Sequence, residues 1–331
     1  MELLSLIQEL AACHGPAGDE RGVREAIRTL AAPYGDECYT DALGNLIVHK
    51  RGDGPKVLFA AHMDTIGLIV THVEEDGFLR VGKLGGVRLE GLSHTAVRFA
   101  NGVRGTVAAD EKADPKKPKL EEFYIDIGAR SREQAQRAAD IGDTAVFDAP
   151  TFQTCGRIIS PHLDNRISCA VLLLVLFRMK RSRNDLYFVF TSQEELGLRG
   201  ARTAAYAIDP DYAIAVDVTL SDDLPESKHN GSSVLGKGAA IKVMDGSVIA
   251  HPEMVERLEK LAISSKIPYQ RDVIRAGGTD AGAIHVSRTG VKTGGVSVPC
   301  RYIHTPVEMV DLSDVQACVE LVSAFVQKKL S

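Results

Sequence analysis

No stretch of this 331-residue chain is apolar for long enough to span a bilayer. The longest such run, Cys169 to Phe177, falls far short of the ~20 residues a membrane helix needs. Positive charge is not in excess either. A formal net charge of −5 and an isoelectric point near 6.1 give no support to a nucleic-acid or membrane-surface partner. Cys13, Cys38, Cys155, Cys169, Cys300 and Cys318 form no CxxC pair and no disulfide-framework spacing, which reads as reduced thiols in a cytoplasmic protein. The first ten residues carry acids in an amphipathic pattern, unlike a signal peptide. No internal repeat of fixed period is present.

What remains is an ordinary globular composition, 44% hydrophobic and 25% charged, on a chain long enough for two domains. Leu3, Leu4, Ile7 and Leu10 predict a first helix that stops at His14-Gly-Pro-Ala-Gly, and Glu20 to Ala31 a second. A hairpin is expected around Asp41-Ala-Leu-Gly, then a buried parallel strand over Lys56-Val-Leu-Phe-Ala-Ala61. From Leu68 to Cys155 the texture changes to short alternating strands rich in glycine, with one helix from Ser131 to Ala139. Strand–helix alternation then resumes, with helices over Asp164–Lys180, Gly197–Ala207, Pro252–Ser264 and Ala281–Ser287. Strands are expected over Leu186–Phe190, Tyr212–Val216 and Gly294–Val298. A last helix, capped at Asp311 or Ser313, shows Val315, Val319, Val322 and Val326 at helical spacing. The expected fold is α/β: a mixed, mostly parallel sheet flanked by helices, formed by residues 1–67 and 156–331, with a small β-rich domain inserted at 68–155.

One segment does not fit a packing role. Thr191-Ser-Gln-Glu-Glu-Leu-Gly comes after a buried strand and places two acids side by side, where neither gains from burial. Neighbouring side chains diverge in extended or turn backbone, so Glu194 and Glu195 are expected to do different work, one with metal and one with protons. His62, Asp217 and His304 also come just after predicted strands, and Asp164 opens a helix. Ligand sites of open α/β sheets lie at the carboxyl ends of strands, so these residues can converge. Two histidines and three carboxylates suit a pair of Zn²⁺-like ions. Such a pair acidifies a shared water and clamps the oxygens of a hydrolytic transition state. Asp64, two residues beyond His62, is placed to accept the imidazole N–H.

The ordered segments His62-Met-Asp-Thr-Ile-Gly, Leu163-Asp-Asn-Arg, Gln193-Glu-Glu-Leu-Gly-Leu-Arg-Gly, Val216-Asp-Val, Gly277-Gly-Thr-Asp-Ala-Gly and Arg301-Tyr-Ile-His-Thr-Pro-Val-Glu resemble the tetrahedral (TET) metalloaminopeptidases. This family includes glutamyl and deblocking aminopeptidases and some members labelled endoglucanase. The resemblance runs nearly end to end and includes an insertion after the first motif. It implies that Asp164 bridges two metal ions, that His62 and Asp217 complete one site, and that Glu195 and His304 complete the other. Glu194 would be the general base toward the bridging water, with Asp64 orienting His62. Zinc or cobalt would be the metal, manganese being compatible, and Gly277-Gly-Thr-Asp280 would line the substrate pocket. The implied assembly is a homododecameric tetrahedron built from dimers and admitting peptides only. Two positions depart from the family pattern, Thr65 and Asn165, where an acid is common. Asn165 is not expected to ligate metal and bears on hydrogen bonding around the site, and Thr65 leaves a role in side-chain selectivity open.

Taken singly, each residue has an ordinary explanation: a turn histidine, a helix N-cap at Asp164, a solvated helix start at Glu194-Glu195. The full ordered set is what argues against them. His162 is read as local packing and His285 as structural, and no role is assigned to Arg301 or Tyr302. Three rivals stand beside the di-metal aminopeptidase. One is a deacylase or carboxypeptidase on the same ions and another a non-catalytic scaffold. The third, a glycoside hydrolase, needs two carboxylates flanking a sugar ring and is poorly served by adjacent acids on one loop.

Overall fold

The computed structural model describes residues 3–179, 181–228 and 231–330. Met1, Glu2 and Lys180, which the sequence pattern places in helices, lie outside that range. Two helices, α1 (Leu3–Ala12) and α2 (Arg21–Ala31), bury the apolar stripe predicted for them. The hairpin of β1 (Glu37–Thr40) and β2 (Leu46–Lys50) closes around Asp41, whose carboxylate accepts the backbone N–H groups of Leu43, Gly44 and Asn45. Then comes β3 (Lys56–His62), buried from Val57 onward.

The chain next leaves for a closed six-stranded barrel. It contains β4 (Gly67–Val73), β5 (Leu79–Leu84), β6 (Ala96–Phe99), β7 (Arg104–Ala109), β8 (Phe123–Asp126) and β9 (Thr144–Phe147). Alternation fills its interior: Leu79 and Val81 of β5 point inward with Val97, Phe99, Phe123 and Ile125, while Arg80 does not. Helix α3 (Arg132–Ala138) packs on β4, with the Ser131 hydroxyl accepting from Gln134 N at its start.

After the barrel, β10 (Phe152–Thr154) and β11 (Arg157–Ser160) form an edge hairpin of the large sheet. Helix α4 (Leu163–Arg178) is buried from Leu163 to Leu176, as an element apolar on all sides must be. It lies against the sheet and against α1, α2 and the last helix. The remaining elements are β12 (Asp185–Thr191), α5 (Arg199–Ile208), β13 (Tyr212–Leu220), β14 (Ala239–Met244), α6 (Pro252–Ser265), β15 (Tyr269–Val273), α7 (Asp280–Ile284), β16 (Lys292–Arg301), β17 (Glu308–Asp311) and α8 (Leu312–Val326).

The large sheet has 11 strands. Its heart, β12-β3-β13-β16, is parallel and its margins are antiparallel except for the parallel β14–β15 pair, so the mixed sheet expected from the sequence is observed. Register sets the height of the strand ends. Thr191 pairs with His62, and the β3–β13 ladder reaches Ala215 opposite Ala60, so Asp217 stands level with His62 at the carboxyl end. Among the described residues, no helix is long and apolar enough to cross a membrane.

Phe59, fully buried on β3, stacks on Phe188 at 5.1 Å and meets Phe325 edge-on at 6.2 Å. Replacing Phe59 with alanine is expected to cost about 3–5 kcal/mol, read as a lowered urea midpoint at unchanged m-value.

Candidate metal centre

The strand ends bring the predicted residues together around Asp164. One of its carboxylate oxygens is 3.1 Å from His62 Nε2 and the other 3.3 Å from His304 Nε2. On one side Asp217 Oδ1 lies 3.6 Å and Glu194 Oε2 3.8 Å from His62 Nε2. On the other, Glu195 Oε1 lies 3.2 Å from His304 Nε2. Ligand-type atoms thus fall into two groups that share Asp164, namely His62, Asp164 and Asp217, and Asp164, Glu195 and His304. Atoms within each group lie within 4.8 Å of one another.

Asp164 does not cap its helix. Its backbone and that of Asn165, joined by a cis peptide bond, are non-helical, and the carboxylate turns to the two imidazoles. Asn165 Nδ2 donates to Val216 O at 3.0 Å, tying this turn to the strand end that carries Asp217.

The role expected of Asp64 is corrected by the geometry. His62 Nδ1 is 3.1 Å from the Asp64 backbone carbonyl and 3.6 Å from its carboxylate. The carboxylate instead accepts Glu194 N at 3.0 Å and Glu195 N at 3.1 Å, one on each oxygen. Asp64 therefore holds the acidic pair through its backbone, which leaves both glutamate side chains free to face opposite histidines. Two further supports escaped the sequence. Glu308, buried and with no cationic side chain against it among the described residues, accepts Asp164 N and His304 N, both at 2.8 Å. The carbonyl of Gly86, on the barrel, lies 3.1 Å from His304 Nδ1. In the sequence Glu308 stands at the end of the His304 segment without an evident task, and Gly86 offers only a Gly-Gly pair.

Burial raises the Glu194 carboxyl well above its usual range, reinforced by Asp217 and Glu195 and opposed by His62. Burial also raises Glu195 and Asp217. Both histidines respond the other way. Burial disfavours their charged forms, yet Glu194 and Asp217 lift His62 well above its ordinary value, and Asp164 and Glu195 lift His304 to about 11. Asp164 is lowered: burial acts upward, but the two imidazoles outweigh it. The acids thus favour the cationic form of both imidazoles. Glu195 Oε1 is buried and accepts no well-formed hydrogen bond. A set of two imidazole nitrogens and three carboxylates with an orphaned oxygen fits a pair of divalent ions.

The centre opens into a cavity of about 510 Å³. Gly277, Gly278 and Thr279 form one wall, Val218, Leu220, Ile274 and Ile303 give it an apolar lining, and Arg88 reaches in from the barrel. Asp280 lies beneath that wall, buried; burial pushes it up to about 7, and it accepts the Thr191 hydroxyl at 2.6 Å. Thr65 does not line the cavity; its hydroxyl meets His162 Nδ1 at 2.9 Å. His162, lowered by burial to about 3, is a neutral packing residue whose Nε2 lies 3.0 Å from Phe147 O. His285 Nδ1 meets Ala281 O at 3.0 Å, and Arg301 forks onto Asp223 with two 2.7 Å bonds.

Solved aminopeptidases share this fold. One, from the archaeon Desulfurococcus kamchatkensis, is 40% identical and superposes with a TM-score of 0.94 over 98% of this chain and 94% of its own. The TET1 peptidase of Pyrococcus horikoshii, described as assembling into a tetrahedron or a large octahedral shell, is 30% identical. It superposes with a TM-score of 0.90 over 99% of this chain and all of its own. The lysyl aminopeptidase of Pyrococcus furiosus is 36% identical over 98% of this chain and 96% of its own length. These comparisons define the class: a peptide hydrolase. A family model described as M42 glutamyl aminopeptidase matches residues 44–321, and the chain belongs to that metal-dependent family.

Because ligating imidazoles must be neutral, metal uptake near pH 7 is expected to expel the protons held on His62 and His304. Calorimetric titration of the metal-free protein in buffers of different ionisation enthalpy should report a release of about one proton per ion. Affinity should weaken as pH falls. A heat of binding independent of buffer would contradict this picture.

Proposed function

We propose that this enzyme removes N-terminal residues from peptides at a two-ion centre held by His62, Asp164, Glu195, Asp217 and His304, with Glu194 as general base. The observation that carries the reading is Asp164, whose two oxygens face two histidines, each flanked by a further carboxylate. Bound divalent ions supply an acidified water and a clamp on the oxygens of the tetrahedral transition state. The donor set accepts zinc, cobalt or manganese.

The chain's own groups do the rest. Asp64 fixes the backbone of Glu194 and Glu195, so their side chains enter the site already aimed. The Glu194 carboxyl, raised by burial, holds a proton readily. As a carboxylate it accepts a proton from the attacking water and delivers it to the departing amine nitrogen. The surplus of acids facing the cavity favours a free, positively charged α-amine, which gives exopeptidase register. The apolar lining from Val218 to Ile303 keeps water from the chemistry. A glycosidase reading is disfavoured because Glu194 and Glu195, adjacent on one loop, each lie against a different histidine of the centre, 3.8 Å from His62 and 3.2 Å from His304.

We read the sheet-forming parts, residues 1–67 and 156–331, as the catalytic domain and the insert at 68–155 as one for oligomerisation and gating. The assemblies described for the Pyrococcus horikoshii relative support self-association, a tetrahedral homododecamer being the reading for this chain. Six free thiols support a cytoplasmic location.

Glu194→Gln should lower kcat by about 10²–10⁴-fold with metal content unchanged, whereas Asp164→Ala should lose metal. Full activity in Glu194→Gln would remove the base assignment. A panel of aminoacyl-arylamides set against N-blocked and C-terminal substrates should show turnover only where the α-amine is free; cleavage of blocked substrates would favour the deacylase.

A further inference from the structure

The two histidines of the centre are oriented by the same device from different sources. Each places Nε2 among carboxylates and Nδ1 against a backbone carbonyl. For His62 that carbonyl belongs to Asp64, two residues along the same segment. For His304 it belongs to Gly86, 218 residues away on the far side of the barrel insertion. We propose that Gly86 is a positioning residue for the second ion, so that the barrel completes the half of the centre formed by Glu195 and His304. This rests on the two-ion reading above.

The contact is close on both sides. A Cβ at Gly86 would stand 2.6 Å from His304 Nδ1 and 2.7 Å from its Cε1. Gly86 lies outside the left-handed region of φ, so its backbone tolerates an L side chain and only the imidazole opposes one. Its neighbour Gly85 meets the other ligand: a Cβ there would lie 2.9 Å from Glu195 Cβ and 3.0 Å from Glu195 Oε2. His304 cannot simply retreat. Its backbone sits at φ 65°, with its N–H held by Glu308. The ring therefore lies between Gly86 and the carboxylates, and its Nδ1–H has the Gly86 carbonyl as acceptor. A histidine so fixed presents Nε2 to an ion in one orientation and as the correct tautomer. His62 takes its carbonyl from Asp64, outside the barrel, and His304 takes its own from Gly86, within it, so the two half-sites should differ in their dependence on the barrel.

The test is Co²⁺ titration of the metal-free full-length protein, followed by calorimetry and by cobalt absorption. Wild type should take up two ions per chain. Gly86→Ala should keep the first affinity and the melting temperature of the metal-free protein, and weaken the second ion by about 10–100-fold. Lys83→Ala, exposed near the end of β5, should match wild type. His304→Ala should lose the second ion, and adding Gly86→Ala to it should cost nothing more at the remaining site. Two ions with wild-type affinity in Gly86→Ala would overturn the inference. Fewer than two in wild type would overturn the two-ion reading on which it rests. A second readout needs no change at Gly86: the ¹³C,¹⁵N-labelled, zinc-loaded protein should show a coupling across a hydrogen bond between His304 Nδ1–H, assigned by its loss in His304→Ala, and the Gly86 carbonyl carbon. No such coupling would refute the role even if Gly86→Ala failed to fold.

Discussion

Negative charge confined in a dry space is the constraint around which this molecule is built. Asp64, Asp164, Glu194, Glu195, Asp217, Asp280 and Glu308 crowd the carboxyl end of one sheet, and among the described residues the ion pairs they form come from His62 and His304. Such groups remain ionised only where hydrogen-bond donors or cations meet them. The fold answers in two ways. The acids at the perimeter take backbone N–H groups: Asp64 those of Glu194 and Glu195, Glu308 those of Asp164 and His304. At the centre Asp164, Glu194 and Glu195 turn their oxygens to the two histidines, while Asp217 also accepts the Val218 N–H.

That division explains why the parallel heart of the sheet sits where it does. Strands β3, β12 and β13 end in register, so His62, Thr191 and Asp217 arrive at one level without any long-range adjustment. Below them Phe59, Phe188 and Phe325 and the wholly buried body of α4 give the platform its rigidity. Above them the chain departs for the barrel just after His62 and comes back through the β10–β11 hairpin to reach Asp164. His162 ties the two crossings together, one nitrogen on Thr65 and the other on Phe147.

The fold and the side chains of the centre are legible in the sequence because each rests on a local pattern. Short apolar runs with a polar residue at the carboxyl end mark parallel strands and their site positions at once. The Glu194–Glu195 pair is visible as an anomaly of burial. The groups that stay hidden act through the main chain. Asp64 stands out by its distance from His62, but that spacing suggests a bond to the imidazole and cannot reveal that the carboxylate turns to the amides of residues 130 and 131 positions away. Gly86 contributes a carbonyl and the absence of a Cβ, neither of which has a side-chain signature. Glu308 reads as one more surface acid until β17 is seen to bury it between two ligand-bearing turns.

The placement of the barrel between His62 and Asp164 also has a consequence for how the enzyme comes into being. A chain emerging from the ribosome presents its first ligand long before its second, and the last, His304, only after every strand of the parallel heart has been made. Domains fold largely in the order they are synthesised. The barrel, whose contacts lie within one continuous segment, can close early, while the centre must wait for pairings that span most of the chain. Nascent and prematurely terminated chains therefore lack part of the cluster that His62, Asp164, Asp217, Glu195 and His304 form. A centre so divided along the chain is assembled only when synthesis is nearly done.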